Sequence, residues 1–321
     1  MTASFRKIDY SLRPAKHAER RMFVEIIRRL AVFQPVEDYR YIGFGSVWFS
    51  DFILFHKALG IRNMLSIEGS QGARERIEAN KPFQISVEYE NSSVVLPRIG
   101  WEQRSVVWLD YDDPLNNTML EDVATVAGHA VSGTLLAVSV QCMKAPQYAE
   151  AERQRATDEN AISAIDRFRN DFGNHRVPHD ATDGDLTGWP YGNVARKMIR
   201  SEIDSRLSMR NLAAENKLRF EHICDIEYQD DAKMATIVGI IVSELEMERF
   251  ESCRFGNIDF IAEFDRSVRI EMPKLTIREL RKLEQLLPGG DPLEVGHIPM
   301  SEATKFRRMY RYFPNFSVME S

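Results

Sequence analysis

The chain has 321 residues, enough for one large or two small domains, because single cores stop growing near roughly 250 to 300 residues. Hydrophobic residues make up 44% and charged residues 28%, an ordinary globular composition that excludes long disorder or a fibrous repeat. Lys plus Arg number 42 against 48 Asp plus Glu, a net charge of −6, so nothing draws the whole chain to phosphate backbones and any basic face must be local. Residues 1–13 mix Arg6, Lys7 and Asp9 with other polar positions and hold no apolar signal core. No apolar run approaches the roughly 20 residues of a membrane span, and Cys142, Cys224 and Cys253 are scattered without a Cys-x-x-Cys pair. A cytoplasmic protein is expected.

Pro14 to Phe33 carries Met22, Ile26, Leu30 and Phe33 on one stripe, which predicts an amphipathic helix with Pro14 in its first turn. Arg13, Lys16 and Arg20 follow on another face. Such a series ordinarily forms a solvated charged face; the alternative is an anion clamp, with Arg13 and Lys16 holding an acidic group of cofactor or acceptor. From Tyr39 to Ser139 short apolar runs alternate with helical patterns, the signature of a parallel sheet covered on both faces. Strands are predicted at Tyr39–Gly43, Asn63–Glu68, Gln84–Val87, Ser105–Asp110 and Thr134–Val140. Trp48, Phe52, Phe55 and Leu59 form a helical stripe ending at Gly60, and Gln71–Asn80 reads as a second helix stopped before Pro82. Met143 to Asp231 turns polar, charged and partly helical, far longer than an ordinary connection, and reads as an insertion with its own helices. Ala235–Ser243, Ile258–Phe264 and Ser267–Met272 then read as further strands, and Thr276–Leu287 as a helix with Thr276 as N-cap. This divides the chain into an N-terminal helical segment (1–38), a cofactor-binding core (39–142 and 232–272), a mainly helical insertion (143–231), and a C-terminal helix with a basic, aromatic tail (273–321).

The chemistry concentrates in Tyr41-Ile42-Gly43-Phe44-Gly45-Ser46, a strand entering a glycine turn that opens a helix, followed at Glu68 by a carboxylate ending the next strand. Glycines let a ligand approach backbone N–H groups, and an acid at the next strand end can accept both hydroxyls of a ribose. An adenosine-bearing cofactor follows. Trp48 stands where the dinucleotide fingerprint needs its third glycine, which disfavours NAD, and no Gly-x-x-x-x-Gly-Lys-Ser/Thr run exists to cradle a nucleoside triphosphate. After the fourth strand comes Asp110-Tyr111-Asp112-Asp113-Pro114, at the edge where open α/β sheets bind ligands. Asp110 or Asp112 could take a proton or hydrogen bond from an acceptor, while Asp112 and Asp113 could equally form a turn that caps the next helix. Magnesium would suit these oxygens, but no second acidic cluster pairs with them. His175 and His179 flank Pro178, which argues for a solvated loop rather than a metal site.

In this order Gly43-Phe44-Gly45, Glu68, Glu90-Asn91 and Asp110 to Pro114 resemble class I S-adenosylmethionine-dependent methyltransferases over roughly residues 39–140. The resemblance implies a Rossmann-like, mostly parallel seven-stranded sheet with an antiparallel last strand. It implies S-adenosylmethionine as cofactor, with its methionine part over Gly43, Phe44, Gly45 and Ser46, its ribose on Glu68, its adenine beside Asn91, and Asp110 bordering the reacting methyl. Two positions depart from the family pattern: Tyr41 replaces the usual acid before the first glycine, and Val47 the usual third glycine. The expectation is methyl transfer to an oxygen or nitrogen acceptor. The alternatives are a nucleoside-binding sensor without turnover, and a nucleic-acid-directed enzyme. The last would use Lys305, Arg307, Arg308 and Arg311, interleaved with aromatics near the C-terminus, though these can equally cover the sheet edge with rings inward and charges out.

Overall fold

The computed structural model describes residues 13–263, 267–289 and 293–313. The reading of the first twelve residues, Phe264 at the end of one expected strand, and the end of the C-terminal tail lie outside them.

Among the described residues eight strands form one sheet: β1 (Arg40–Gly43), β2 (Asn63–Ile67), β3 (Ser86–Glu88), β4 (Ser105–Asp110), β5 (Thr134–Gln141), β6 (Leu218–Gln229), β7 (Lys233–Ser243) and β8 (Ser267–Ile270). Their order is β3-β2-β1-β4-β5-β7-β6-β8. β7 is antiparallel to both its neighbours, β5 and β6, while β8 adds parallel to β6, so β7 alone runs against the rest. The sheet therefore has one strand more than the seven expected. The ends of β1, β2, β4, β5 and β6 consequently share one edge with the start of β7.

Alternation along each strand sends side chains into two helical layers. Tyr41, Trp108 and Ala137 face α1 (Pro14–Arg29), α2 (Ser50–Leu59) and α3 (Arg74–Asn80), whereas Ile42, Leu109 and Val138 face the opposite layer. That layer holds α4 (Ser92–Val95), α5 (Asn117–His129), α6 (Pro146–Thr157), α7 (Ala164–Phe172) and the 24-residue α8 (Gly188–Asn211). α1 has no cap from its own flank. Its first free N–H groups, on Ala15 and Lys16, donate at 3.0 Å each to the two carboxylate oxygens of Asp230, just beyond β6. α2 ends where expected, with Gly60 in the left-handed region at φ 74°. Thr276 caps α11 (Ile277–Glu284) in a reciprocal box with Glu279.

Two stretches depart from the sequence reading. The segment 143–231 ends in the twelve-residue strand β6, whose Leu218, Phe220, Cys224, Ile226 and Tyr228 alternate along the sequence at the end of an otherwise polar and helical stretch. Leu218 and Phe220 face the α8 layer, a bulge follows between His222 and Cys224, and Cys224, Ile226 and Tyr228 then face the α1 layer. Of Ile258–Phe264, expected as a strand, the described residues fold instead as α10 (Asp259–Glu263) following a short helical turn at Phe255–Asn257, with Ile258 and Ile261 one turn apart and both buried. α9 (Met247–Ser252) precedes it, and α12 (Met300–Met309) packs with α11 over a small separate core of Leu283, Leu293, Ile298, Ala303 and Phe306. Among the described residues, no helix is long and apolar enough to cross a membrane.

Candidate active site

The turn between β1 and α2 is built from interlocking backbone and side-chain contacts. A Cβ on Gly45 would lie 2.4 Å from the Phe49 ring and 2.8 Å from Ser66 Oγ, and one on Gly43 would lie 2.5 Å from the Tyr41 hydroxyl. Neither position admits a side chain. Ser46 and Phe49 occupy the left-handed region at φ 55° and 47°, a conformation that non-glycine residues adopt at a cost of about 1–3 kcal/mol and that concentrates at ligand sites. The neighbouring strand supplies the compensation: Gly45 N donates to Ser66 Oγ at 2.9 Å, Ser46 N donates to Glu68 Oε1 at 2.7 Å, and Ser66 Oγ donates to the same oxygen at 2.7 Å. Glu68 is thus a brace for the turn as well as an acid at a strand end. Burial pushes its pKa up, against the hydrogen bonds from Ser66, Ser46 and Gly45. Among the described residues, Ser46 Oγ and Trp48 Nε1 are buried here without a hydrogen-bond partner.

Tyr41, at the position of the missing acid, turns its hydroxyl to the buried carboxylate of Asp51 in the first turn of α2 and donates a short hydrogen bond to it. On the far side, the half-buried Phe44 meets Tyr111 with ring centroids 5.3 Å apart, joining the ends of β1 and β4. Asn91 is exposed at the start of α4; a Cβ on Gly69 would lie 2.7 Å from its Oδ1, so the loops after β2 and β3 touch.

The cation series on α1 is not a solvated face. Arg13, Lys16 and Arg20 are 5%, 1% and 7% exposed. Lys16 Nζ donates to Asp110 Oδ1 at 2.6 Å and to Glu19 Oε2 at 2.8 Å, and sits 4.2 Å above the Trp108 ring. From there a buried chain runs through the sheet: Thr236 Oγ1 donates to Glu19 Oε1 at 2.5 Å, Ser139 Oγ lies 2.8 Å from Thr236 Oγ1, and Trp108 Nε1 donates to Ser139 Oγ at 2.9 Å. Lys16 is therefore committed to two carboxylates, and an added anion would have to displace one. Arg13 lies 3.8 Å from Asp230, within electrostatic reach of Asp110, Asp112 and Tyr228. Asp112 is half-buried and Asp113 exposed, and neither caps the next helix; Asn116 does, accepting from Met119 N at 3.1 Å. Gly43, Phe44, Gly45, Ser46, Glu68, Asp110, Asp112, Arg13 and Lys16 thus gather at one edge of the sheet.

A profile of the family described as "Putative O-methyltransferase" matches residues 8–321. The chain belongs to this family. No curated protein matches it. Among solved structures, Trm1 from Pyrococcus horikoshii in complex with S-adenosyl-L-methionine is 12% identical, the match covering 73% of this chain and 58% of that one, with a TM-score of 0.41. An O-methyltransferase family protein from Burkholderia thailandensis is 13% identical over 70% and 56% of the two chains, TM-score 0.34. The fibrillarin pre-rRNA processing protein of Methanococcus jannaschii is 9% identical over 64% and 66%, TM-score 0.35. The chain spans little more than half the length of the first two.

Of the other sequence candidates, Lys305 lines a cleft together with Arg13 and Asp230. Lys305 pairs with Glu302 at 2.9 Å, Arg308 with Glu263 at 2.9 Å, and Arg311 with Glu25 and Asp259, while Phe306 and Tyr312 are buried and Arg307 lies on the same helix. His175 and His179 are exposed, and among the described residues no three His, Cys, Asp or Glu side chains converge as a metal site. Sequence reasoning missed Asp51, Glu19, Tyr228 and Asp230. Asp51 carried a local signal, an acid in the first turn of a helix opened by a glycine turn; Tyr228 and Asp230 were masked by the unseen strand β6.

Proposed function

We propose that this chain is an S-adenosylmethionine-dependent methyltransferase acting on an oxygen acceptor, the acceptor atom named in the family's description. The observation that carries the reading is the strained glycine turn bonded onto Glu68, with Ser46 Oγ and Trp48 Nε1 buried beside it and lacking partners among the described residues. Buried polar atoms without partners cost about 1–3 kcal/mol each, so they suit a ligand that supplies donors and acceptors. Gly43, Phe44, Gly45 and Ser46 would hold the methionine part of the cofactor, Glu68 the ribose through the oxygen not engaged by the turn, and Asn91 the adenine edge. When bound, the cofactor supplies an electrophilic methyl group on a sulfonium. The chain's own contribution is then orientation: the braced turn fixes one reactant, and Asp110, locked by Lys16, stands with Asp112 on the acceptor side, where a carboxylate can take the acceptor's proton. A cleft of about 750 Å3, lined by Arg13, Trp189, Asp230, Arg269, Met272 and Lys274, offers room for the acceptor. Arg13 would meet an acidic group there.

Titration calorimetry with S-adenosylmethionine, S-adenosylhomocysteine, NAD and ATP tests the cofactor. Selective micromolar binding of the first two is expected, and binding of neither removes the reading. Glu68→Ala should weaken that affinity at least about tenfold through loss of charged hydrogen bonds; a folded variant with unchanged affinity would remove the ribose assignment. A binding-only sensor would hold the cofactor without methylating any component of a cell extract.

A further inference from the structure

The cleft of about 750 Å3 beyond β8 has one wall that is held in place from behind. Arg269 sets its guanidinium 4.7 Å from the centroid of the Trp189 ring, and Lys233 Nζ lies 5.2 Å from the same ring. Glu227, buried on β6, fixes that guanidinium: its Oε2 accepts from Arg269 Nε at 3.0 Å and from Nη2 at 2.7 Å, while its Oε1 accepts from the buried Arg196 of α8 at 2.9 Å. The remaining nitrogen, Arg269 Nη1, makes no hydrogen bond among the described residues, and 49% of the side chain stays exposed. A guanidinium with one edge bonded and the rest open is a rigid, planar, cationic surface on which a flat π system can stack. In the same lining, the Lys274 N–H is tied to Glu302 Oε2 at 2.6 Å, yet its ammonium makes no hydrogen bond or ion pair among the described residues.

We propose that this cleft takes a small planar aromatic acid as the methyl acceptor, its ring stacked on Arg269 beside Trp189 and its carboxylate on Lys274. This rests on the reading of the cleft as the acceptor's place and names the class of molecule that fits it. The acceptor's hydroxyl oxygen forms the new bond to the methyl carbon as the methyl–sulfur bond breaks, and its proton passes to a carboxylate as in that reading. The charges of the lining favour one small anion over a chain of phosphates. Arg269 is already held by Glu227 and Lys305 by Glu302, and the acids Asp231 and Glu271 stand exposed in the same lining, where they would repel a phosphate backbone. The volume is that of a small-molecule site, roughly 300–1,000 Å3, and Met272 and Pro14 add apolar surface for a ring.

The test is titration calorimetry of the full chain saturated with S-adenosylhomocysteine, using three probes: 4-hydroxycinnamate, its methyl ester, which lacks the charge, and trans-4-hydroxycyclohexanecarboxylate, which lacks the flat ring. The aromatic acid should bind at least about tenfold more tightly than either analogue. Arg269→Lys, which keeps the charge and loses the plane, should weaken the acid and the ester alike by about three- to tenfold, whereas Lys274→Met should weaken the acid alone by a similar factor. Unchanged affinity for S-adenosylhomocysteine certifies that both variants are folded. No binding of the acid, equal binding of the saturated analogue, or no loss in either variant would overturn the aromatic-acid assignment and leave the cofactor reading standing. Tighter, Arg269-dependent binding of a single-stranded oligonucleotide would overturn it in favour of a nucleic-acid surface. Failure of the unmodified chain to bind S-adenosylhomocysteine would overturn the cofactor reading and the acceptor role of the cleft with it.

Discussion

Two cation series, one near each end of the chain, look alike as text and differ completely as structure. On α1, Arg13, Lys16 and Arg20 are buried, and Lys16 is bonded to Glu19 and Asp110 deep in the protein. On α12 and just beyond it, the side chains of Lys305, Arg308 and Arg311 are 30%, 44% and 45% exposed, each paired with an acid at the surface. Helical spacing is a property of one segment, but the worth of a charge depends on what surrounds it. An exposed pair gives up little water and gains little, whereas a buried pair is held by the loss that follows if either member is removed.

The sharpest break of this contrast is Lys16→Met, which leaves Glu19 and Asp110 without their cation. It should cost about 3–5 kcal/mol in urea denaturation, and adding Glu19→Gln should restore part of the loss by removing one stranded charge. If the single variant costs no more than a surface pair, the two series are equivalent after all. The next effect is pH-dependent. Burial, followed by the charges of Arg20 and Arg21, lowers the pKa of His17 on α1 from 6.5 to about 4. The unfolded chain therefore takes up this proton first as pH falls, and stability from a neutral His17 is present above pH 6.5 and lost progressively down to about pH 4. Melting temperatures of the unmodified chain and His17→Gln should converge across that window as pH falls; parallel curves would mean that His17 titrates as an exposed residue.

Smaller changes sharpen the comparison further. Asp230→Ala removes the acceptor for the Ala15 and Lys16 N–H groups, a capping loss of about 1 kcal/mol, and should loosen α1 as read by amide hydrogen exchange at its first turn. Arg311→Ala should change stability by about 0.5 kcal/mol or less, falling further in high salt. Salt-sensitive nucleic-acid binding that vanished on neutralising Lys305, Arg307, Arg308 and Arg311 would give the C-terminal series a role beyond its surface pairs.

Much of the scaffold was legible because it is periodic. The first five strands, the α1 and α2 stripes, the Gly60 end and the Thr276 cap all follow from local spacing and local backbone preference, which the sequence states directly. The glycine turn and Glu68 were legible for the same reason, each sitting at the end of a readable strand. β6 was not, because its alternating residues, interrupted by His222, close a long polar and mainly helical stretch, and the helical turn at Ile258 to Ile261 was too short for its period to be told from a strand.

What the amino-acid order determined alone is therefore the parallel core, the turn after β1 and the acids at the strand ends. Only the tertiary structure decided that α1 lies over the carboxyl edge with its cations inward, that Lys16 meets Asp110, and that Thr236 meets Glu19 from 217 positions away. It also decided that Asp51 stands behind Tyr41 and accepts its hydroxyl. The physical reason is range: hydrophobic period and capping act within a few residues, whereas burial of a charge depends on the packing of segments whose separation along the chain leaves no local trace.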